Sequence, residues 1–327
     1  EGSKPTDPGD GYAVSEDGKP YTIYTADGLR AWAEAAQCNP SLNCTLTHDI
    51  DLSGTECEPV AFCDIDTYYT GTFDGNGHTI RNMAITKKNL SFEDDCGMFG
   101  RVGTNATIKD LTLENVSLNV GADGVSIGAL AGSNQGTISN CKVSRNISVT
   151  NNEMGFVGGV VGRMESGVIQ YCHSSVSIQG ENSTYVGGVL GGEYATATVK
   201  ACSFSGSITS ANAVGGIAGH CLYFNDMTGC YSVGELSNLS TTAYRTGGVV
   251  GFLQHGSETK ACYWDGFDGE GVGYCNSGEG TGAYQIDGTT HTWQTATEAM
   301  NTALGADSEY IWETTDANTP PTLVKNR

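Results

Sequence analysis

The stretch Gly158-Gly159-Val160-Val161-Gly162, followed by Val168-Ile169-Gln170-Tyr171-Cys172, sets the reading of this chain, because copies of both halves recur around it. The glycine half returns as Cys96-Gly97-Met98-Phe99-Gly100, Gly128-Ala129-Leu130-Ala131-Gly132, Gly187-Gly188-Val189-Leu190-Gly191, Gly215-Gly216-Ile217-Ala218-Gly219 and Gly247-Gly248-Val249-Val250-Gly251. From Gly100 to Gly251 the last glycines are 32, 30, 29, 28 and 32 residues apart. A period that regular marks stacked supersecondary units, none of which buries its apolar face alone.

The second half has the form Thr-Ile-x-Asn-Cys, as in Thr137-Ile138-Ser139-Asn140-Cys141, with Cys172, Cys202, Cys230 and Cys262 ending later copies. Looser copies are Thr79-Ile80-Arg81-Asn82-Met83 and Thr107-Ile108-Lys109-Asp110-Leu111, so the expected inward column runs Met83, Leu111, Cys141, Cys172, Cys202, Cys230, Cys262, about seven coils. A further strand such as Asn146-Ile147-Ser148-Val149 would close each coil, giving three short strands per turn. The expected fold class is therefore all-β, a right-handed parallel β-helix with coils ~4.8 Å apart.

Composition agrees, with 46 glycines among 327 residues and 38% hydrophobic content for a narrow core. Residues 1–19 read as a flexible tether, 20–70 as an N-terminal cap, 71–270 as the β-helix and 271–327 as a C-terminal cap. Leu29, Trp32, Ala33 and Ala36 have the spacing of a short amphipathic helix over the first coil. Thr295-Ala296-Thr297-Glu298 reads as a capping box opening a second helix that stops at Gly305. Both solenoid ends are thus expected to be covered.

A formal charge of −21 repels phosphate backbones, which excludes nucleic acid as the expected partner. No run approaches the ~20 apolar residues that span a bilayer, and a monomer is expected. Among 12 cysteines there is no C-x-x-C, so structural zinc is not expected. The ladder cysteines read as small apolar core thiols. Cys38 with Cys44 and Cys57 with Cys63 are candidate local disulfides.

These motifs resemble the GLUG-motif repeat proteins across about residues 20 to 325. The flanks Asp49-Ile50-Asp51-Leu52, Gly71-Thr72-Phe73-Asp74-Gly75-Asn76-Gly77-His78 and Pro320-Pro321-Thr322-Leu323 join the resemblance. It implies a β-solenoid of the kind found in bacterial surface and adhesin-like lipoproteins, often Bacteroides-type, and in non-catalytic regions of IgA-specific zinc metallopeptidases. The implied location is extracytoplasmic, at the cell surface, through an N-terminal tether or a lipid anchor outside this chain.

The chemistry of the zinc peptidases is absent, because none of the six histidines opens an H-E-x-x-H motif. Asp64, Asp66, Asp74, Asp94 and Asp95 supply acids but sit in irregular segments, and Asp74-Gly75-Asn76-Gly77 reads as a turn. The column after the buried isoleucine, Arg81, Lys109, Ser139, Gln170, Lys200, Thr228, Lys260, forms a basic outward stripe that would track an acidic glycan or keep the sheet solvated. Tyr68, Tyr69, Tyr223, Tyr263 and Trp264 are candidate contacts for a sugar or protein partner. Asp265 to Glu270 lacks the ligand spacing of a calcium loop. The expected function is non-enzymatic adhesion or binding of a glycan or protein without cofactor or metal, with a polysaccharide lyase or glycoside hydrolase as the alternative.

Overall fold

Short strands that each bury one side chain build the first wall of the molecule. Phe73, Ile108, Ile138, Ile169, Val199, Met227 and Thr259 lie in parallel register, one per coil, and all are buried. The structure, a computed structural model, describes residues 11–14, 21–54, 56–60, 67–90, 94–150, 155–180, 183–222, 226–240, 245–254, 256–276 and 282–327. Over these residues the chain is a parallel β-solenoid, mostly strand, whose ladders run from coil to coil.

After each first-face strand the backbone turns through a residue in the left-handed region. Asp110, Asn140, Tyr171, Ala201, Gly229 and Ala261 have φ between 48° and 64°, a conformation that Asn, Asp and Gly adopt at least cost. The asparagine of the repeat is therefore a turn residue. The next position is the ladder, with Leu111, Cys141, Cys172, Cys202, Cys230 and Cys262 all buried and the cysteines free. Each thiol also donates to a carbonyl two residues back, at 3.2 Å for Cys172 to Gln170 and for Cys202 to Lys200.

The start of the expected column is out of register. Thr72–Asp74, not Thr79–Arg81, pairs with Thr107–Lys109 on the first face, while Thr79–Arg81 pairs with Thr112–Glu114 on the second. Met83 consequently falls level with Val116 rather than with the cysteines. The cause is the turn after Asp74, whose Oδ1 accepts the Asn76 amide at 2.8 Å while Asn76 and Gly77 take φ of 51° and 79°. That turn adds residues before the second face begins.

Each regular coil also has four strand segments instead of three. Thr137–Ser139 and Lys142–Thr150 form its first and second faces, Phe156–Gly158 its third and Val161–Met164 its fourth. The glycine pair divides what would be one strand, and sterics explain it. A Cβ on Gly158 would lie 1.8 Å from the Val161 carbonyl oxygen, and one on Gly187 would lie 2.0 Å from that of Leu190. Only glycine lets the third and fourth faces fold back so closely. Side chains from the two walls stack at this crease in the order Phe156, Tyr185, His220, Phe252, Tyr274, with centroids 4.3 to 5.2 Å apart. Burial first, and Arg245 second, lower the His220 pKa to about 4.

Helix α1 (Ala26–Cys38) is capped by Thr25, whose hydroxyl accepts the Gly28 amide at 3.1 Å. It buries Trp32 against Tyr69, Phe73 and Phe99 of the first coils, as the spacing predicted. Helix α2 (Trp293–Leu304) has its capping box three residues before the expected one, with Thr292 and Thr295 bonded reciprocally. It packs along the flank of the coils. Trp293, Ala296 and Met300, with Trp312 of the hairpin Tyr310–Glu313/Thr322–Lys325, cover Tyr171, Ala201, Tyr231 and Tyr263. Trp312 Nε1 donates to the Gly229 carbonyl at 2.7 Å.

Coil strands continue beyond residue 270, at Val272–Cys275 and Ala283–Gln285. Within the expected tether, Tyr12–Val14 pairs antiparallel with Tyr21–Ile23. Among the described residues no helix is long and apolar enough to cross a membrane. The Cys38–Cys44 pairing does not form, since both thiols are free, Cys38 exposed at the end of α1 and Cys44 directed into the core. Cys63 lies outside the described residues.

Two stability measurements test this account. Gly187→Ala should lower the unfolding free energy in urea by about 3 kcal/mol, because the added methyl has no space. His220 has a folded pKa below its unfolded value of ~6.5, so the unfolded chain binds the proton first as pH falls. The stability contributed by neutral His220 is complete above that value and is lost progressively down to about 4. Denaturation midpoints across this window should reveal a loss approaching about 3 kcal/mol, and His220→Phe should flatten it.

Candidate functional site

The second face is creased along the solenoid axis, and the crease begins as a break in strand alternation. Leu113, Val116, Leu118 and Val120 are buried, so the inward period is three residues once and then two. Pairing with the next coil shifts register at that step. Asn82, Asn115 and Arg145 have φ of 61°, 57° and 105° near the same line. In later coils the strand divides outright, into Ser203–Phe204 and Ser207–Ser210, then Tyr231–Ser232 and Glu235–Asn238.

The result is an open groove of about 920 Å³ running across several coils. Arg81, Asn82, Glu114, Asn115 and Arg145 line its first half, and Ser175, Ser177, Ser205, Ser207 and Glu235 its second. Asn146, Ser177, Ser207 and Glu235 follow one another in register, one per coil. Ser177 and Ser207 hydroxyls are 2.8 Å apart, and Asn115 Nδ2 donates to Asn82 Oδ1. Hydroxyls and amides thus repeat at the ~4.8 Å coil spacing.

Charge concentrates at the first end. Arg81 donates through Nε to Glu114 at 2.7 Å and through its terminal nitrogen to Asp49 at 3.1 Å. The Thr79 amide, then His78 and Arg81, hold Asp49 below the usual carboxylate range. Asn82, then Ser53, does the same for Asp51.

The structure separates the residues that the sequence reading grouped. Arg81 belongs to the groove, whereas Lys109, Lys200 and Lys260 lie on the first face, where Asp74 takes the place expected for Arg81. Lys109 is paired with Asp74 at 2.8 Å and Lys260 with Glu258 at 3.5 Å, so the basic stripe is interrupted and partly neutralised. Tyr69 is fully buried with its hydroxyl donating to the Leu42 carbonyl at 3.0 Å. Tyr263 and Trp264 are buried too, one in the platform under α2 and the other donating to the Phe267 carbonyl at 3.3 Å. These three anchor the fold and are removed from the candidate ligand contacts.

Tyr68 stays partly exposed over the Arg101 guanidinium at 5.8 Å. Asp95 is buried against Arg101 at 2.7 Å and Arg163 at 3.5 Å, which binds it into a structural ion cluster. Tyr223, Asp64 and Asp66 lie outside the described residues. The groove residues Asn115, Arg145, Ser177 and Ser207 were missed because they vary from coil to coil. Their one signal was the broken alternation between Leu113 and Val116.

No family model matches the chain. A crystal structure from Bacteroides ovatus, named provisionally as an immunoglobulin A1 protease, aligns with a TM-score of 0.68 at 19% identity over 98% of each chain and shares the fold. Halomucin of Haloquadratum walsbyi is 34% identical over 160 residues, 45% of this chain and 2% of halomucin. A protein of Evansella cellulosilytica named provisionally as a Gly-rich membrane protein is 30% identical over 128 residues, 38% of this chain and 14% of that protein. The chain spans a small part of the curated relatives it matches.

Tyr69→Phe separates structural from ligand roles. It should cost about 1 to 3 kcal/mol in urea unfolding by leaving the buried Leu42 carbonyl unpaired, while affinity for any groove ligand stays unchanged in calorimetry.

Proposed function

We propose that this is a non-enzymatic binding module of the cell surface, a GLUG-type solenoid that holds an extended glycan in its second-face groove. The observation that carries this reading is the in-register row of Asn146, Ser177, Ser207 and Glu235. Such a row offers hydrogen-bonding groups at a regular step to a polyhydroxylated chain lying along the axis. Val233 is the one apolar side chain among the described lining residues, which disfavours a peptide needing apolar pockets.

The two carboxylates that line the groove, Glu114 and Glu235, do not form a hydrolytic pair. A glycosidase needs two carboxyl groups ~5 to 9.5 Å apart, one of them protonated. Glu114 and Glu235 stand four coils apart along the ladders, roughly 19 Å at the coil spacing. Asp49 and Asp51 are held low, so neither serves as a proton donor near neutral pH. The surface location is supported by the acidic composition, the repeat resemblance and the relative named as a membrane protein.

An array of neutral and acidic oligosaccharides, followed by calorimetry on the strongest binders, tests the reading. Ser177→Trp, which fills the groove from an outward position, should weaken binding at least tenfold while the melting temperature changes little. Appearance of new reducing ends, or binding indifferent to Ser177→Trp, would count against it.

A further inference from the structure

Arg145 occupies a place that the fold alone does not explain. Its register partners in the coils on either side are Val116 and Val176, and both are fully buried. Arg145 instead has a φ of 105°, and its side chain is exposed along the groove. The other described non-glycine residues with positive φ lie between 48° and 61°, the ordinary left-handed region. A φ of 105° is costly for any residue with a Cβ. Valine would continue the core at this position, and glycine would relax the backbone. The sequence keeps a strained arginine.

Among the described residues it also has no ion-pair partner. Arg81 at the end of the groove is paired with Asp49 and Glu114, whereas among the described residues no carboxylate lies in ion-pair distance of Arg145. Around it the groove offers the amides of Asn115 and Asn146 and the hydroxyls of Ser144 and Ser175.

We propose that Arg145 reads a single carboxylate on an otherwise neutral glycan, and that this sugar acid sets the specificity of the groove. The inference rests on the glycan reading above. A planar guanidinium pairs with a carboxylate through two parallel hydrogen bonds, which fixes orientation as well as charge. Glu114 stands one coil before Arg145 and Glu235 three coils after it, and the chain carries a net charge of −21. A polymer with an acid on every ring would meet these charges, whereas an isolated acid meets only Arg145.

Calorimetry with an oligosaccharide bearing one sialic acid, its desialylated counterpart, an oligogalacturonate and a short peptide with one free carboxylate tests this. The wild-type protein should bind the sialylated sugar at least tenfold more tightly than either other sugar. Arg145→Gln should erase that preference without altering affinity for the neutral sugar, and Arg145→Lys should retain part of it. Arg145→Gly should abolish the preference and raise the melting temperature, an outcome that a merely structural arginine would not give. Equal wild-type affinity for the sialylated and neutral sugars, or a preference that survives Arg145→Gln, overturns the inference while leaving the groove a glycan site. Binding of the peptide alone, or of no sugar, overturns both.

Discussion

Every coil of this solenoid must bring its backbone within ladder distance of the next, and at the double-glycine corner that requirement leaves no volume for a side chain. A Cβ on Gly159 would sit 2.1 Å from the Gly188 carbonyl oxygen of the next coil, and one on Gly162, just past the pair, would sit 2.3 Å from the Ile127 amide nitrogen of the preceding coil. The third and fourth faces therefore run almost in contact, and the core they share with the first and second faces is narrow. Narrowness in turn selects the ladder side chains. A cysteine fills the position after the left-handed turn with little volume, and its thiol reaches a nearby carbonyl, as Cys202 does with Lys200 at 3.2 Å.

With the stack held by these contacts, the remaining variation is free to serve other ends. The flank is one case. The turn column would ordinarily be Asn or Gly, yet it carries Tyr171, Ala201 and Ala261 in the left-handed region. Tyr171 and Ala201 lie beneath α2 and the terminal hairpin, with Tyr231 OH donating to the Pro321 carbonyl at 2.6 Å. Aromatic residues that look like a recognition surface are there the seat of the chain's own C-terminal segment.

The groove is the other case. Its walls form where the second-face strands lose their alternation, so the same irregularity that interrupts the ladder makes a concave surface lined by polar side chains. The acidic residues near Arg81 are engaged with cations and amides, which makes that end a fixed electrostatic boundary. The serine and asparagine rows beyond it, with Arg145 among them, present neutral donors and acceptors around one positive charge.

The sequence by itself determined the solenoid, because the glycine and cysteine positions answer to local constraints, close backbone approach and a turn followed by a buried small side chain, that repeat with the coil. It also located α1 through Leu29, Trp32 and Ala36, whose spacing needs no knowledge of the partner surface. Tertiary structure alone decided the register of the first coil, since the turn at Asp74 to Gly77 displaces Arg81 from one face to the next. It decided, too, that Tyr69, Tyr263 and Trp264 face packed protein rather than ligand. Whether an aromatic ring is covered depends on segments distant in the chain, and no local pattern carries that information. Arg145 shows the same limit, for its place in register between the buried Val116 and Val176, and the inverted backbone that turns it out into the groove, belong to the fold alone.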